Sequence, residues 1–109
     1  MRVALREVLP QRRHCETFDM RFGNHAAPFN ITVGHYPDGT PGEVFITGAK
    51  TGSEMAAITN DAAVLLSLAM QYGVPMSTIK SAIMRNPDGT ASSIVGAVID
   101  TINERKSDG

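Results

Sequence analysis

The stretch PFNITVGHYPDGTPGEVFITG, residues 28–48, has the pattern of a β-hairpin. Apolar and polar side chains alternate from Phe29 to Val33, which is the period of a strand that buries one face. The segment PDGTPG at residues 37–42 is typical of a turn, because proline presets φ and glycine accepts positive φ. The segment EVFITG at residues 43–48 then predicts a second strand that runs antiparallel to the first.

A further strand is predicted just before this hairpin. The segment TFDMRF, residues 17–22, alternates in the same way, and Gly23-Asn24 marks the turn that follows it. Three strands joined by short connections predict an antiparallel meander. Its apolar face is expected to consist of Phe18, Met20, Phe22, Phe29, Ile31 and Val33.

From Ser53 onward the apolar period changes to the three-and-four spacing of helices. The first predicted helix carries a stripe that we expect to face the sheet, and Gly73 ends it. The stripe consists of Met55, Ile58, Ala62, Leu65, Ala69 and Tyr72, and Leu66, Leu68 and Met70 widen it until the second half of the helix is apolar nearly all round. Pro75 opens a second helix, and Ser92 or Ser93 caps a third. The expected fold is α+β: a three-stranded antiparallel meander followed by three helices, the central, most buried helix (Met55 to Tyr72) packing on the sheet.

The chain of 109 residues is short enough to form one folded unit. We expect an N-terminal arm at residues 1–15, a single α+β domain at residues 16–106 and a frayed tail at residues 107–109. Ten Lys and Arg against eleven Asp and Glu give a net charge of −1, which argues against a general nucleic-acid-binding protein.

Membrane insertion and export are not expected from the sequence. No window approaches the ~18 apolar residues of a membrane span, and the first nine residues lack the apolar core of a signal peptide. A single cysteine, Cys15, cannot form an internal disulfide. These features favour the cytoplasm.

Arginines are concentrated near the N-terminus, where half of the cations lie within the first 21 residues. This segment is either an ordinary solvated one or a patch that meets an anionic partner. The candidate partner-binding residues are Arg12, Arg13 and Arg21.

The glycine-rich segment GAKTGS, residues 48–53, links the last strand to the first helix and has two interpretations. It does not match the Walker spacing, because its lysine lies between the two glycines. Thr51 with Glu54 has the spacing of a capping box, and Ser53 is an alternative cap, so the segment could simply start the helix. Free amides at a helix N-terminus also attract anions, which keeps a nucleotide or phosphate site open. The candidate anion-binding residues are Lys50, Thr51, Gly52, Ser53 and, at the predicted end of the second helix, Arg85.

Metal or thiol chemistry is the remaining alternative, and its candidate residues are His14, Cys15, His25 and His35. No C-x-x-C or H-x₃-H pair places two ligands on one element. Adjacent residues of an extended segment point to opposite sides, so His14 is poorly placed to act as a base for Cys15. We therefore expect no catalytic residue, no bound metal and no cofactor.

The order of several motifs resembles that of the TSCPD domain. These motifs are the FNITV strand, the PDGTP turn, the GEVFI strand, the KTGS helix start and the YGVP helix break, all within residues 27–79, and the resemblance extends over roughly residues 9–103. That module is found at the C-terminal end of adenosylcobalamin-dependent (class II) ribonucleotide reductases and as small stand-alone proteins.

The resemblance implies a binding module rather than a reductase. In the long enzymes, the cobalamin, the radical chemistry and the active-site cysteines belong to a large barrel domain that 109 residues cannot contain. The C-terminal cysteine pairs that pass reducing equivalents are also missing here. The expected function is that of an accessory or regulatory protein linked to ribonucleotide reductase and thus to nucleotide metabolism and DNA synthesis.

Self-association is expected as well. A three-stranded sheet has two edges, and open edges tend to pair unless they are covered or charged. Small domains commonly solve this by forming a symmetric homodimer.

Overall fold

The computed structural model describes residues 5–24, 27–48 and 53–108. The elements in chain order are β1 (Cys15–Met20), β2 (Phe29–His35), β3 (Pro41–Thr47), α1 (Glu54–Gln71), α2 (Met76–Ala82) and α3 (Ile94–Asp108). The strands form one antiparallel sheet in the order β1-β2-β3. The predicted α+β fold, a meander followed by three helices, is confirmed.

The register of the sheet places the apolar side chains on one face. Phe18 of β1 lies opposite Ile31 of β2, which in turn lies opposite Ile46 of β3. Ile31 is fully buried in a core that also contains Phe29 and Val33. The apolar sheet face predicted from the period of two is therefore confirmed.

Helix α3 supplies the most deeply buried helical side chains. Val98 and Ile99 share the core cluster with the sheet residues and are almost completely inaccessible to solvent. Ser93 caps the helix, because its Oγ accepts a hydrogen bond from the backbone N–H of Gly96 at 3.0 Å. Met76 of α2 closes the same core.

Helix α1 packs against β3 and protects its outer edge. The backbone N–H of Val44 donates to the Ser67 hydroxyl at 2.9 Å, and the Gln71 side-chain amide donates to the carbonyl of Gly42 at 2.9 Å. Both backbone groups point away from β2, so the helix satisfies groups that another strand would otherwise pair with. This edge is therefore blocked for strand pairing.

Helix α1 packs against the sheet as predicted, and Leu66 and Met70 contact the core, but α1 is not the most buried helix and the predicted phase of its main stripe is wrong. The predicted inward stripe faces outward, and its large members are between 46% (Tyr72) and 67% (Leu65) exposed. The face turned toward the protein instead carries Thr59, Ala63, Leu66 and Gln71. Although α1 is strongly apolar, neither it nor another helix in the described ranges has the length and hydropathy needed to cross a membrane.

The described part of the N-terminal arm, residues 5–14, packs onto the domain. The backbone N–H of Glu7 donates to the carbonyl of Gln71 at 2.8 Å, and the Tyr36 hydroxyl donates to the carbonyl of Glu7. Leu9 is buried, and the pKa of Tyr36 is raised because the phenol is removed from water. The arm thus joins the end of α1 to the start of β1.

Candidate functional site

The predicted anion site at the start of α1 is only partly visible. Lys50, Thr51 and Gly52 lie outside the described residues. Ser53 is the N-cap of α1, and its Oγ accepts a hydrogen bond from the backbone N–H of Ala56 at 3.1 Å. This hydrogen bond shows that Ser53 caps the helix. Anion binding by Ser53 stays a prediction.

Arg85 has a structural partner. It lies beyond the end of α2, and its two terminal nitrogens donate to the two carboxylate oxygens of Asp100 in α3 at 2.7 and 2.6 Å. These hydrogen bonds hold the pKa of Asp100 below its usual value. The guanidinium therefore links the segment after α2 to α3. Two parallel hydrogen bonds of this kind, from a planar guanidinium to a carboxylate, are stronger and more specific in geometry than a single bond.

The arginines near the N-terminus differ in their surroundings. Arg13 donates to both carboxylate oxygens of Glu43, which is buried in β3, and to the carbonyl of Pro10. Arg12 and Arg21 are exposed. Of these predicted partner-binding residues, Arg13 thus has a clear role within the fold.

A group of three potential metal ligands lies at one end of the sheet's apolar face. His14 and His35 are cross-strand neighbours, joined by a hydrogen bond from the His35 N–H to the His14 carbonyl at 2.8 Å. Their rings lie 5.4 Å apart, and Glu16 follows two residues after His14 on the same side of β1. The Glu16 Oε1 atom lies 3.9 Å from Nε2 of His14 and 3.8 Å from Nε2 of His35. We call this group the His–Glu–His cluster.

Arg105 of α3 fixes the carboxylate of this cluster. Its guanidinium donates to the second oxygen of Glu16 at 2.8 Å and lies 4.2 Å from the centroid of the Phe18 ring. One carboxylate oxygen is thereby held by α3 while the other faces the two imidazoles. Cys15 is exposed and falls on the opposite side of β1, so the thiol does not belong to the cluster. His25, the remaining residue of the predicted metal or thiol set, lies outside the described residues.

Two clefts meet at the His–Glu–His cluster. One of about 360 Å³ is lined by Glu16, His35 and Arg105 among others, and one of about 550 Å³ is lined by His14, Glu16, His35 and Arg12 among others. The cluster is therefore accessible from solvent. Sequence reasoning named both histidines but missed Glu16, although a His-x-Glu spacing within a strand places both side chains on one face.

The outward side of α1 is the second notable surface of the protein. It consists of Met55, Ile58, Ala62, Leu65, Ala69 and Tyr72, and we call it the α1 outer face. These residues repeat at intervals of three and four, so they form one continuous stripe along the helix. Monomeric soluble proteins seldom expose apolar stripes of this kind unless something binds them.

Comparison with known proteins identifies a common domain. The model of a family described as "TSCPD domain" matches residues 3–105. A vitamin B12-dependent ribonucleotide reductase of Rhodopirellula baltica is 46% identical over 74 residues, which are 68% of this chain and 7% of that protein. The corresponding protein of Agrobacterium fabrum is 39% identical over 71 residues, 65% of this chain and 5% of that protein. That of Streptantibioticus cattleyicolor is 35% identical over 77 residues, 71% of this chain and 12% of that protein.

The matched region is a small part of each of these relatives, between 5% and 12% of their length. No solved structure matches the chain significantly.

Proposed function

The chain belongs to the TSCPD domain family, and from this premise we propose that it is a non-catalytic binding module of the cytoplasm that acts as an accessory or regulator of a ribonucleotide reductase through protein contacts. The observation that carries this proposal is the α1 outer face. A small domain that exposes several large apolar side chains along one helix commonly binds another surface through them.

The comparisons support a reductase as the partner. In the curated relatives, the matched region is part of a longer chain whose name is that of a vitamin B12-dependent ribonucleotide reductase. A domain within such a chain can pack against the rest of the enzyme. A separate chain with the same domain keeps a surface suited to that contact, and we infer that the α1 outer face makes it.

Binding to a purified vitamin B12-dependent ribonucleotide reductase tests this proposal. In surface plasmon resonance, Leu65→Lys is expected to weaken binding by about 30-fold or more, because a charge would be buried at the centre of an apolar contact. Met84→Lys is the matched control, since Met84 is 79% exposed and lies outside the α1 outer face. Unchanged binding of Leu65→Lys, or equal losses in both variants, would contradict the role of this face.

We also propose that the protein forms a homodimer through the edge of β1. Hydrogen bonds alternate along an antiparallel pair, and the bond between His35 and His14 means that the backbone groups of Cys15, Thr17 and Asp19 point away from β2. These residues are exposed, whereas the β3 edge is covered by α1.

Light scattering under reducing conditions is expected to give the mass of a dimer. Thr17→Pro should convert it to a monomer, because proline removes the outward N–H without breaking a bond to β2. Cys15→Ser should remain dimeric, which excludes an intermolecular disulfide as the cause. A monomeric mass for the unaltered protein would refute the dimer.

A further inference from the structure

We propose that His14, Glu16 and His35 bind a divalent first-row transition metal ion, with Zn²⁺ as the best-fitting metal. This inference does not rest on the proposed contact with a reductase, because it concerns a different part of the molecule. It follows from the spacing of the three side chains, from their chemistry as metal ligands and from their position between two clefts.

The spacing of the His–Glu–His cluster suits a metal centre. A Zn²⁺ ion with bonds of about 2.0–2.2 Å can bridge two ligand atoms that are at most roughly 4.2 Å apart. Glu16 Oε1 lies within that limit of both imidazole Nε2 atoms, at 3.9 and 3.8 Å. The ligand atoms of all three residues lie within 4.8 Å of one another. Since the His14 side chain is exposed, a small rotation of its ring would complete the set.

Hydrogen bonding within the cluster does not account for this convergence. Separations of 3.8 and 3.9 Å between nitrogen and oxygen are too long for hydrogen bonds. Ion pairing is a weak explanation as well, because Arg105 already neutralises the Glu16 carboxylate. Two imidazolium ions with ring centroids 5.4 Å apart would also repel each other. A metal ion, in contrast, would bind through the lone pairs of the two imidazoles and through Oε1 of Glu16, the carboxylate oxygen that faces them.

The two ring nitrogens of His35 have different surroundings. Its side chain is only 14% exposed, and its Nδ1 atom is buried without a hydrogen-bond partner among the described residues. An imidazole has a donor or an acceptor at each nitrogen, so the ring has binding capacity that the surrounding protein does not use. Because Nε2 is the nitrogen that faces Glu16, the ring would bind the metal through Nε2 and leave Nδ1 as the outer nitrogen, which an ordered water molecule could bind.

The chemistry of the ligands selects the class of metal. Two imidazoles and one carboxylate suit Zn²⁺, Fe²⁺ and related ions, whereas Mg²⁺ prefers a shell of oxygen atoms. Arg105 holds the other oxygen of Glu16 and so orients the carboxylate, as outer partners of metal ligands generally do. Three protein ligands at the meeting point of two clefts would leave the metal an open position for water or a small anion.

Metal titration of the tag-free, chelator-treated protein tests the proposal. Isothermal titration calorimetry is expected to show one Zn²⁺ per chain and no Mg²⁺ binding at the same concentration. His14→Ala and Glu16→Gln should each weaken Zn²⁺ binding by more than about 100-fold, beyond the 10–100-fold effect of losing an outer partner. In ¹H–¹⁵N spectra of the imidazoles, Zn²⁺ should shift the signals of His14 and His35 together.

Cys15→Ser is the matched control, because the thiol lies next to His14 but on the opposite side of β1. This variant should bind Zn²⁺ like the unaltered protein, and circular dichroism should show the same fold for all variants. Any of three results would overturn the proposal: no Zn²⁺ binding up to about 1 mM, binding that survives both His14→Ala and Glu16→Gln, or binding lost in Cys15→Ser.

Discussion

Truncating Leu66 to alanine is expected to lower the free energy of unfolding by about 2–5 kcal/mol, the range for a buried leucine that leaves a cavity. Leu66 is 5% exposed and belongs to the core cluster, where it packs with residues of the sheet and of α3. The same truncation at Leu65, its neighbour in α1, is expected to change this free energy by less than about 0.5 kcal/mol, because Leu65 is 67% exposed.

Chemical denaturation monitored by circular dichroism would measure both changes, and the two leucines form a matched pair. They differ by one position in the same helix and have the same intrinsic helix propensity, so only burial separates them. The experiment should be run at low protein concentration, where the proposed dimer and any contact through the α1 outer face are weak. Equal losses for the two variants, or a larger loss for Leu65, would show that the described phase of α1 is wrong.

The spacing of apolar residues alone does not identify the side of α1 that faces the sheet, and the reason lies in what that side must contact. The inward side must approach the backbone of β3 closely, which requires small side chains such as Ala63 and Ser67. It must also supply donors and acceptors for that backbone, as Ser67 and Gln71 do. The inward side is therefore less apolar than the outer face, and an analysis that seeks the most apolar stripe selects the outer face.

The sheet, by contrast, could be predicted from the sequence. Its strands alternate cleanly, and a period of two leaves only two choices of face. The alternation at Phe18, Met20, Ile31 and Val33 predicts the buried face correctly. For the caps of α1 and α3 the sequence offers two candidates each, Thr51 or Ser53 and Ser92 or Ser93, and the side chains of Ser53 and Ser93 accept the capping hydrogen bonds.

The candidate site depends on contacts that local patterns do not contain. His14 and His35 become neighbours only through the register of β1 against β2. Glu16 shares the face of His14 through the local His-x-Glu spacing, but Arg105, 89 positions later in the chain, reaches one of its oxygens only because α3 packs there. The pairing of Arg13 with Glu43 likewise depends on the meander, and the pairing of Arg85 with Asp100 depends on how α3 packs. Sequence reasoning named several of these residues but could not pair them.

Replacing Gly34 with alanine is expected to lower the free energy of unfolding by roughly 1–3 kcal/mol, the usual cost of overpacking. Gly34 lies opposite Glu43 in the sheet, and the Glu43 side chain crosses the space where a Cβ would be. An added Cβ would lie 2.2 Å from Oε2 and 2.7 Å from Cγ of Glu43. The carboxylate would have to move, and its hydrogen bonds to Arg13 would be strained or lost.

A double-mutant cycle separates this clash from a general effect of alanine in a strand. In a Glu43→Ala background the space beside Gly34 is free, so Gly34→Ala should then raise the free energy of unfolding by up to about 0.5–1 kcal/mol, because glycine is less favourable than alanine within a strand. The difference between the two backgrounds measures the coupling of Gly34 to Glu43. If Gly34→Ala costs the same in both backgrounds, the Glu43 side chain does not occupy this space.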